Sequence, residues 1–216
     1  MSDTAGMTSI LRGIRGVMAV AIAVAIVAQF IRAQDNAIFT PTNFFSYFTV
    51  LSNLAAMVLL GSLALRPGLV SRAPFIIFRG AVTVYMAITG IVYNVLLAPA
   101  GADVSTELAW VNSVVHVIGP IVVVVDWFLD RSPTRPTLGQ AATWLIFPAV
   151  WLIYTLVRGP MADWYPYPFL DPDDHSAGEI AVTCAAILLA FVLVGLIVRW
   201  GTDRVENPDA QPPIAR

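Results

Sequence analysis

The chain has 216 residues, 58% of them apolar and only 12% charged, with a mean hydropathy of +0.77. Soluble domains run at roughly 45–50% apolar and about 25% charged, so this composition puts most of the chain in a bilayer. The formal charge of −2 gives no basis for nucleic acid binding, and a single cysteine, Cys184, rules out an internal disulfide.

A membrane-crossing helix needs about 20 mostly apolar residues. Six stretches qualify, at roughly 11–31, 44–65, 74–97, 108–129, 138–157 and 180–200. The expected fold is therefore all-α, a single bundle of six transmembrane helices over residues 1–200. A polar, Pro-rich tail at 201–216 is expected to be disordered. Arg12 and Arg15 ahead of an apolar run give the first stretch some likeness to a signal peptide. Its length and the five spans that follow argue for a retained helix. The connections are short and rich in Pro, Gly, Asp and Arg, which punctuate helices rather than extend them.

All twelve basic residues are arginine. With the N-terminus inside, ten of them (12, 15, 66, 72, 79, 131, 135, 199, 204 and 216) fall on the inner side and only Arg32 and Arg158 on the outer side. That bias predicts both termini in the cytoplasm. Acidic residues such as Asp103, Glu107, Asp163, Asp171, Asp173, Asp174 and Glu179 fall outside. The absence of lysine, with abundant Ala, Val, Gly and Pro, suggests a GC-rich bacterial source and hence the bacterial cytoplasmic membrane.

Polar residues inside the spans are the candidates for function. In the second span Ser46, Thr49 and Asn53 follow i, i+3, i+7 and are expected on one helix face. In the fourth, Asn112 and His116 are four apart. At 1.5 Å per residue Thr49 and His116 lie roughly 8 and 12 Å below the outer boundary, at similar depth. Tyr93 and Asn94 end the third span, and Tyr154 and Arg158 the fifth. The loop after it supplies Trp164, Tyr165 and Tyr167, which read as interfacial aromatics. Gly119-Pro120 is expected to kink or unwind the fourth helix beside His116. Asp126, toward the inner side, is expected to snorkel or to pair with an inner arginine. An ionisable group in the hydrocarbon layer is a functional hypothesis by default, which singles out His116. With two histidines and one cysteine, a metal site is not expected; Asp173, Asp174 and His175 have the residue types to bind a divalent ion, but a solvated acidic loop is the preferred reading.

Three motifs carry a resemblance: YFTVLSNL (Tyr47–Leu54), NSVVHVIGP (Asn112–Pro120) and VRGPMADWYPYPF (Val157–Phe169). In this order they resemble the androgen-induced-protein and androgen-dependent TFPI-regulating-protein family, and most nearly its bacterial six-span branch. The characterised animal members are intramembrane threonine hydrolases of fatty acid esters of hydroxy fatty acids. The resemblance puts the nucleophile on Thr49 and its histidine on His116, with a lipid ester from the bilayer as substrate and no cofactor. Depth and residue type then offer Asn53 or Asn94 as oxyanion donors and Asn112 to orient the imidazole. On the same grounds Arg158, Tyr93 and Tyr165 are candidates for holding substrate. The alternative is a non-enzymatic transporter or scaffold in which Thr49 and His116 are structural.

Overall fold

The computed structural model describes residues 2–36, 39–99 and 108–202. Asp103, Glu107 and the tail with Arg204 and Arg216 lie outside these residues. Six helices are long and apolar enough to cross a membrane: Thr8–Ala33, Phe48–Leu65, Ala73–Leu97, Ala109–Leu129, Leu138–Ala162 and Ala177–Trp200. There is no strand among the described residues. The first helix begins before the expected span, at Ser2. The fifth runs on past residue 157 to Ala162, where Asp163 in the left-handed conformation (φ 49°) ends it.

The third span lies at the centre, packed against the second, fourth and sixth. Its side chains Val82, Thr83, Val84 and Met86 have no exposed surface. The first span packs on the second through Ile22, Leu59, Leu60 and Leu63. The fifth and sixth spans lie more openly, and residues such as Ile153, Val182 and Leu189 point away from the bundle as a lipid-facing surface requires.

The second helix starts later than hydropathy suggests. A short helix, Pro41–Phe44, precedes it, and the chain breaks before helix resumes at Phe48. The break is held from outside. Trp151 of the fifth span donates its indole N–H to the carbonyl of Ser46 (2.8 Å), and the Ser46 and Tyr154 hydroxyls bond each other (2.8 Å). Phe44 and Phe45 pack against Phe30 of the first span. Ser46 therefore lies outside the helix and faces the fifth span, so it does not share a helix face with Thr49 and Asn53. Thr49 becomes the second residue of its helix.

The end of the bundle that carries the start of the first span is locked by buried charge. Asp126 accepts from Arg15 Nε (2.6 Å) and from Arg79 Nη2 (2.9 Å), and Asp130 accepts from Arg15 Nη2 (2.6 Å). Arg79 also donates to the carbonyls of Asp126 (2.7 Å) and Asp130 (2.6 Å). It thereby binds the carbonyl end of the fourth span, where a cation is favoured by the helix dipole. Its guanidinium lies over the Trp127 ring, and the Trp127 N–H reaches the carbonyl of Val198. One carboxylate thus joins the first, third and fourth spans, and its neighbour Trp127 brings in the sixth. The pairing expected for Asp126 is made with two arginines, and it is buried rather than snorkelled. Replacing Asp126 with Ala leaves two buried guanidinium groups without their shared counter-ion, which costs about 3–5 kcal/mol. The loss is expected as an earlier midpoint in a denaturing-detergent titration of the purified protein.

Candidate active site

The opposite end of the bundle holds the imidazole, and its geometry starts from a proline. Pro120 has no N–H, so the carbonyl of His116 has no partner four residues on. The fourth span meets this with a wide, π-helical turn over Val114–Ile118 before α-helix resumes at Gly119. Neighbouring amides take up the freed carbonyls. Asn53 of the second span donates to Val115 O (3.1 Å), and Asn94 of the third donates to His116 O (3.4 Å). The third span opens into a second π-helical turn, Tyr93–Leu97, beside the first. Gly90 allows the close approach, since a Cβ there would meet the Pro120 ring at 3.1 Å. The local unwinding expected at Gly119-Pro120 takes the form of this turn. Such turns recur at functional sites in helical proteins.

The turn swings His116 into the interior, where it is 2% exposed. Its Nδ1 lies 2.6 Å from Asn112 Oδ1. The Asn112 amide N–H is donated to the Tyr93 hydroxyl, so its oxygen is the end that faces the ring. Nδ1 must then carry the proton, and Nε2 keeps its lone pair. Tyr93 stacks on the imidazole with centroids 4.0 Å apart and planes 12° from parallel. Asn112 thus has the geometry of an orienting residue. Tyr93 buttresses the ring, while also lining the larger cavity described next.

Thr49 and His116 line one small cavity of about 30 Å³, together with Gln29, Tyr47, Asn53 and Val115. That space is enough for a water molecule. Thr49 also lines a second, larger cavity of about 320 Å³ between the second, third, fifth and sixth spans. No other described residue lines both. In this structure the Thr49 hydroxyl bonds the Tyr167 hydroxyl (3.3 Å) rather than His116, and the Thr49 backbone N–H donates to the same phenol oxygen (3.3 Å).

Tyr167 is the residue that sequence reasoning missed. Instead of sitting in an interfacial belt it is 5% exposed, folded back from the loop onto Tyr47 and Trp151. Burial pushes its phenol up to about 12, so it keeps its proton at neutral pH and remains a donor. Its signal in the sequence was only YPYPF, two prolines restricting the backbone around two tyrosines. The neighbouring 3-10 turn Pro168–Leu170 buries Leu170 and stacks Phe169 on Tyr167.

The other candidates are placed differently. Asn53 spends its amide hydrogens on the carbonyls of Thr49 and Val115, and Asn94 spends its own on Gly90 and His116. Both act as staples, and neither has an N–H left for an oxyanion. Arg158 donates to Asn43 and lies over the Trp164 ring, lining neither cavity. Tyr165 is half-buried against Gly159 and also lines neither. No group of three or more His, Cys, Asp or Glu side chains with metal-binding geometry occurs among the described residues.

The tautomer assignment can be tested directly, because the chain has only two histidines. In nitrogen NMR of the imidazoles, with His175→Gln to identify signals, His116 is expected with Nδ1 protonated and Nε2 bare. Asn112→Leu is expected to give a mixture of tautomers. An unchanged spectrum in that variant would show that Asn112 does not fix the ring.

No protein-family model, no curated protein and no solved structure matches the chain.

Proposed function

We propose that the chain is an intramembrane lipid-ester hydrolase with Thr49 as nucleophile and His116 as general base. It would act in the bacterial cytoplasmic membrane with both termini in the cytoplasm. The observation that carries the reading is the shared small cavity: a hydroxyl and an imidazole from different spans line it, and the imidazole is held with a bare nitrogen. The motif resemblance to intramembrane threonine hydrolases supports the same pair. The orientation rests on charge. Arg12, Arg15, Arg66, Arg72, Arg79, Arg131, Arg135 and Arg199 belong to one end of the bundle and Arg32 and Arg158 to the other.

In the proposed reaction the Thr49 side chain turns about χ1 from Tyr167 toward the small cavity, a change between staggered wells. His116 Nε2 takes the hydroxyl proton as Oγ1 attacks the ester carbonyl. The tetrahedral intermediate collapses, the alkoxide leaves with the proton from the imidazolium, and an acyl-threonine remains. Water then attacks the acyl carbon and gives its proton to His116. The proton returns to Thr49 Oγ1 as the carboxylic acid departs. Tyr167 beside Thr49 supplies the O–H that bonds the oxyanion, the role that Asn53 and Asn94 have no free N–H to perform. The rival reading, a transporter or scaffold without chemistry, draws on the bond from the Thr49 hydroxyl to Tyr167 instead of His116.

The two readings separate with a fluorophosphonate probe and a lipid-ester hydrolysis assay on the protein in detergent. Both signals are expected to vanish in Thr49→Ala and in His116→Ala. Tyr167→Phe is expected to keep the fold and lower kcat by about 10²–10³, the cost of one oxyanion donor. Labelling that survives Thr49→Ala would remove the nucleophile, and wild-type protein inert to both probe and esters would leave the scaffold reading standing.

A further inference from the structure

The larger cavity is walled by Phe48 and Thr49 of the second span, Ile88 and Val92 of the third, Leu152 of the fifth and Phe191 of the sixth, with the Tyr167–Leu170 segment as its roof. Among the described residues none that lines it is charged, and the heteroatoms on their side chains are hydroxyls, one indole nitrogen and the Cys184 thiol. A carboxylate, phosphate or ammonium drawn into such a space would be buried without a counter-charge. Arg158, on the same span as Leu152, is committed to Asn43 and Trp164 and does not line the chamber. At about 320 Å³ the space is roughly twice the ~150 Å³ of a cavity that holds benzene. That suits one hydrocarbon chain of moderate length and excludes a sterol or a whole diacyl lipid.

We propose that this chamber binds a single, unbranched, uncharged acyl chain whose carboxyl end stops at Thr49. The inference rests on the hydrolase reading for the meaning of that stop, and deepens it by assigning the two cavities. The acyl chain occupies the large one, and the small one, beside His116, admits the water that releases it. Preferred substrates are then esters with a plain acyl chain. Esters whose acyl part carries a carboxylate are disfavoured, because the charge would have to enter the chamber. A chain moving in from lipid gains no hydrophobic energy over its former surroundings. The chamber therefore selects by shape and sets the carbonyl in place, and bulk in its walls should shorten the chain it accepts.

The test is photo-crosslinking of the full chain in phosphatidylcholine vesicles with a saturated acyl methyl ester bearing a terminal diazirine, followed by peptide mass spectrometry. Adducts are expected on chamber residues such as Leu152, Cys184 and Phe169. Excess methyl laurate should remove them, and cholesterol should not. Cys184→Trp and Leu152→Trp, two independent fillings, should each lose the adducts while the purified protein stays monodisperse. Thr49→Ala should keep them. Adducts spread over lipid-facing Val182, Leu189 and Val192 without competition, or competition by cholesterol, would overturn the chamber. Chamber adducts in a protein that hydrolyses no ester would sink the hydrolase and leave the acyl site intact. Hydrolysis that is abolished by Thr49→Ala but shows no chamber adducts would do the reverse.

Discussion

Inside a bilayer every backbone polar group has to find its partner within the protein, and Pro120 breaks that rule at the carbonyl of His116. The structure answers with side chains from two other helices. Asn94 reaches the His116 carbonyl, and Asn53 reaches that of Val115. These amides serve the backbone, and in doing so they fix the register of three spans at one depth. The imidazole is carried on the turn so made. The helix break at Ser46 is handled in the same way, with Trp151 supplying the missing donor. Both breaks leave their mark on neighbouring side chains: the first brings His116 inward, and the second puts Thr49 into the first turn of its helix.

The polar groups of the interior fall into two clusters with different tasks. One binds Arg15, Arg79, Asp126 and Asp130 into a network in which Arg79 also donates to the carbonyls of Asp126 and Asp130. It closes one end of the bundle. The other is built from neutral groups, a hydroxyl, two phenols, amides and an imidazole, and it surrounds cavities. Between them lie Leu59, Leu60, Val82, Met86 and Val123, all essentially unexposed. The buried hydroxyls of Ser52 and Thr83 lie among them.

The spans were legible because a run of about 20 apolar residues is a strong signal that little else produces. Their ends were less so. Hydropathy cannot see that the chain turns at Ser46, since Phe44, Phe45, Tyr47 and Phe48 are apolar on both sides of the break. Thr49 and His116 could be put at similar depth from rise per residue, but their common cavity depends on how the helices rotate, which the wide turn at Val114–Ile118 sets. That Asp126 finds an arginine was readable from their positions; that it takes two, Arg15 and Arg79, depends on three spans meeting. Tyr167 was out of reach for a plainer reason. A tyrosine in a polar loop reads as surface, and only the folding of that loop over the bundle buries it against Thr49.

The bonds around the site differ in a way that bears on which part moves. His116 is held at 2.6 Å by Asn112 and by a stacked tyrosine, and its backbone is pinned on both sides of the turn. Thr49 is held by its neighbour at 3.3 Å, long for a contact between hydroxyls. In the proposed chemistry that contact is exchanged for one with the imidazole by rotation about χ1. In the proposed chemistry the base is therefore the preorganised element and the nucleophile the mobile one. The phenol that releases Thr49 stays in place, its oxygen anchored by the Thr49 backbone N–H at the helix N-terminus. The partner that holds the hydroxyl before the reaction is thus left where negative charge develops during it.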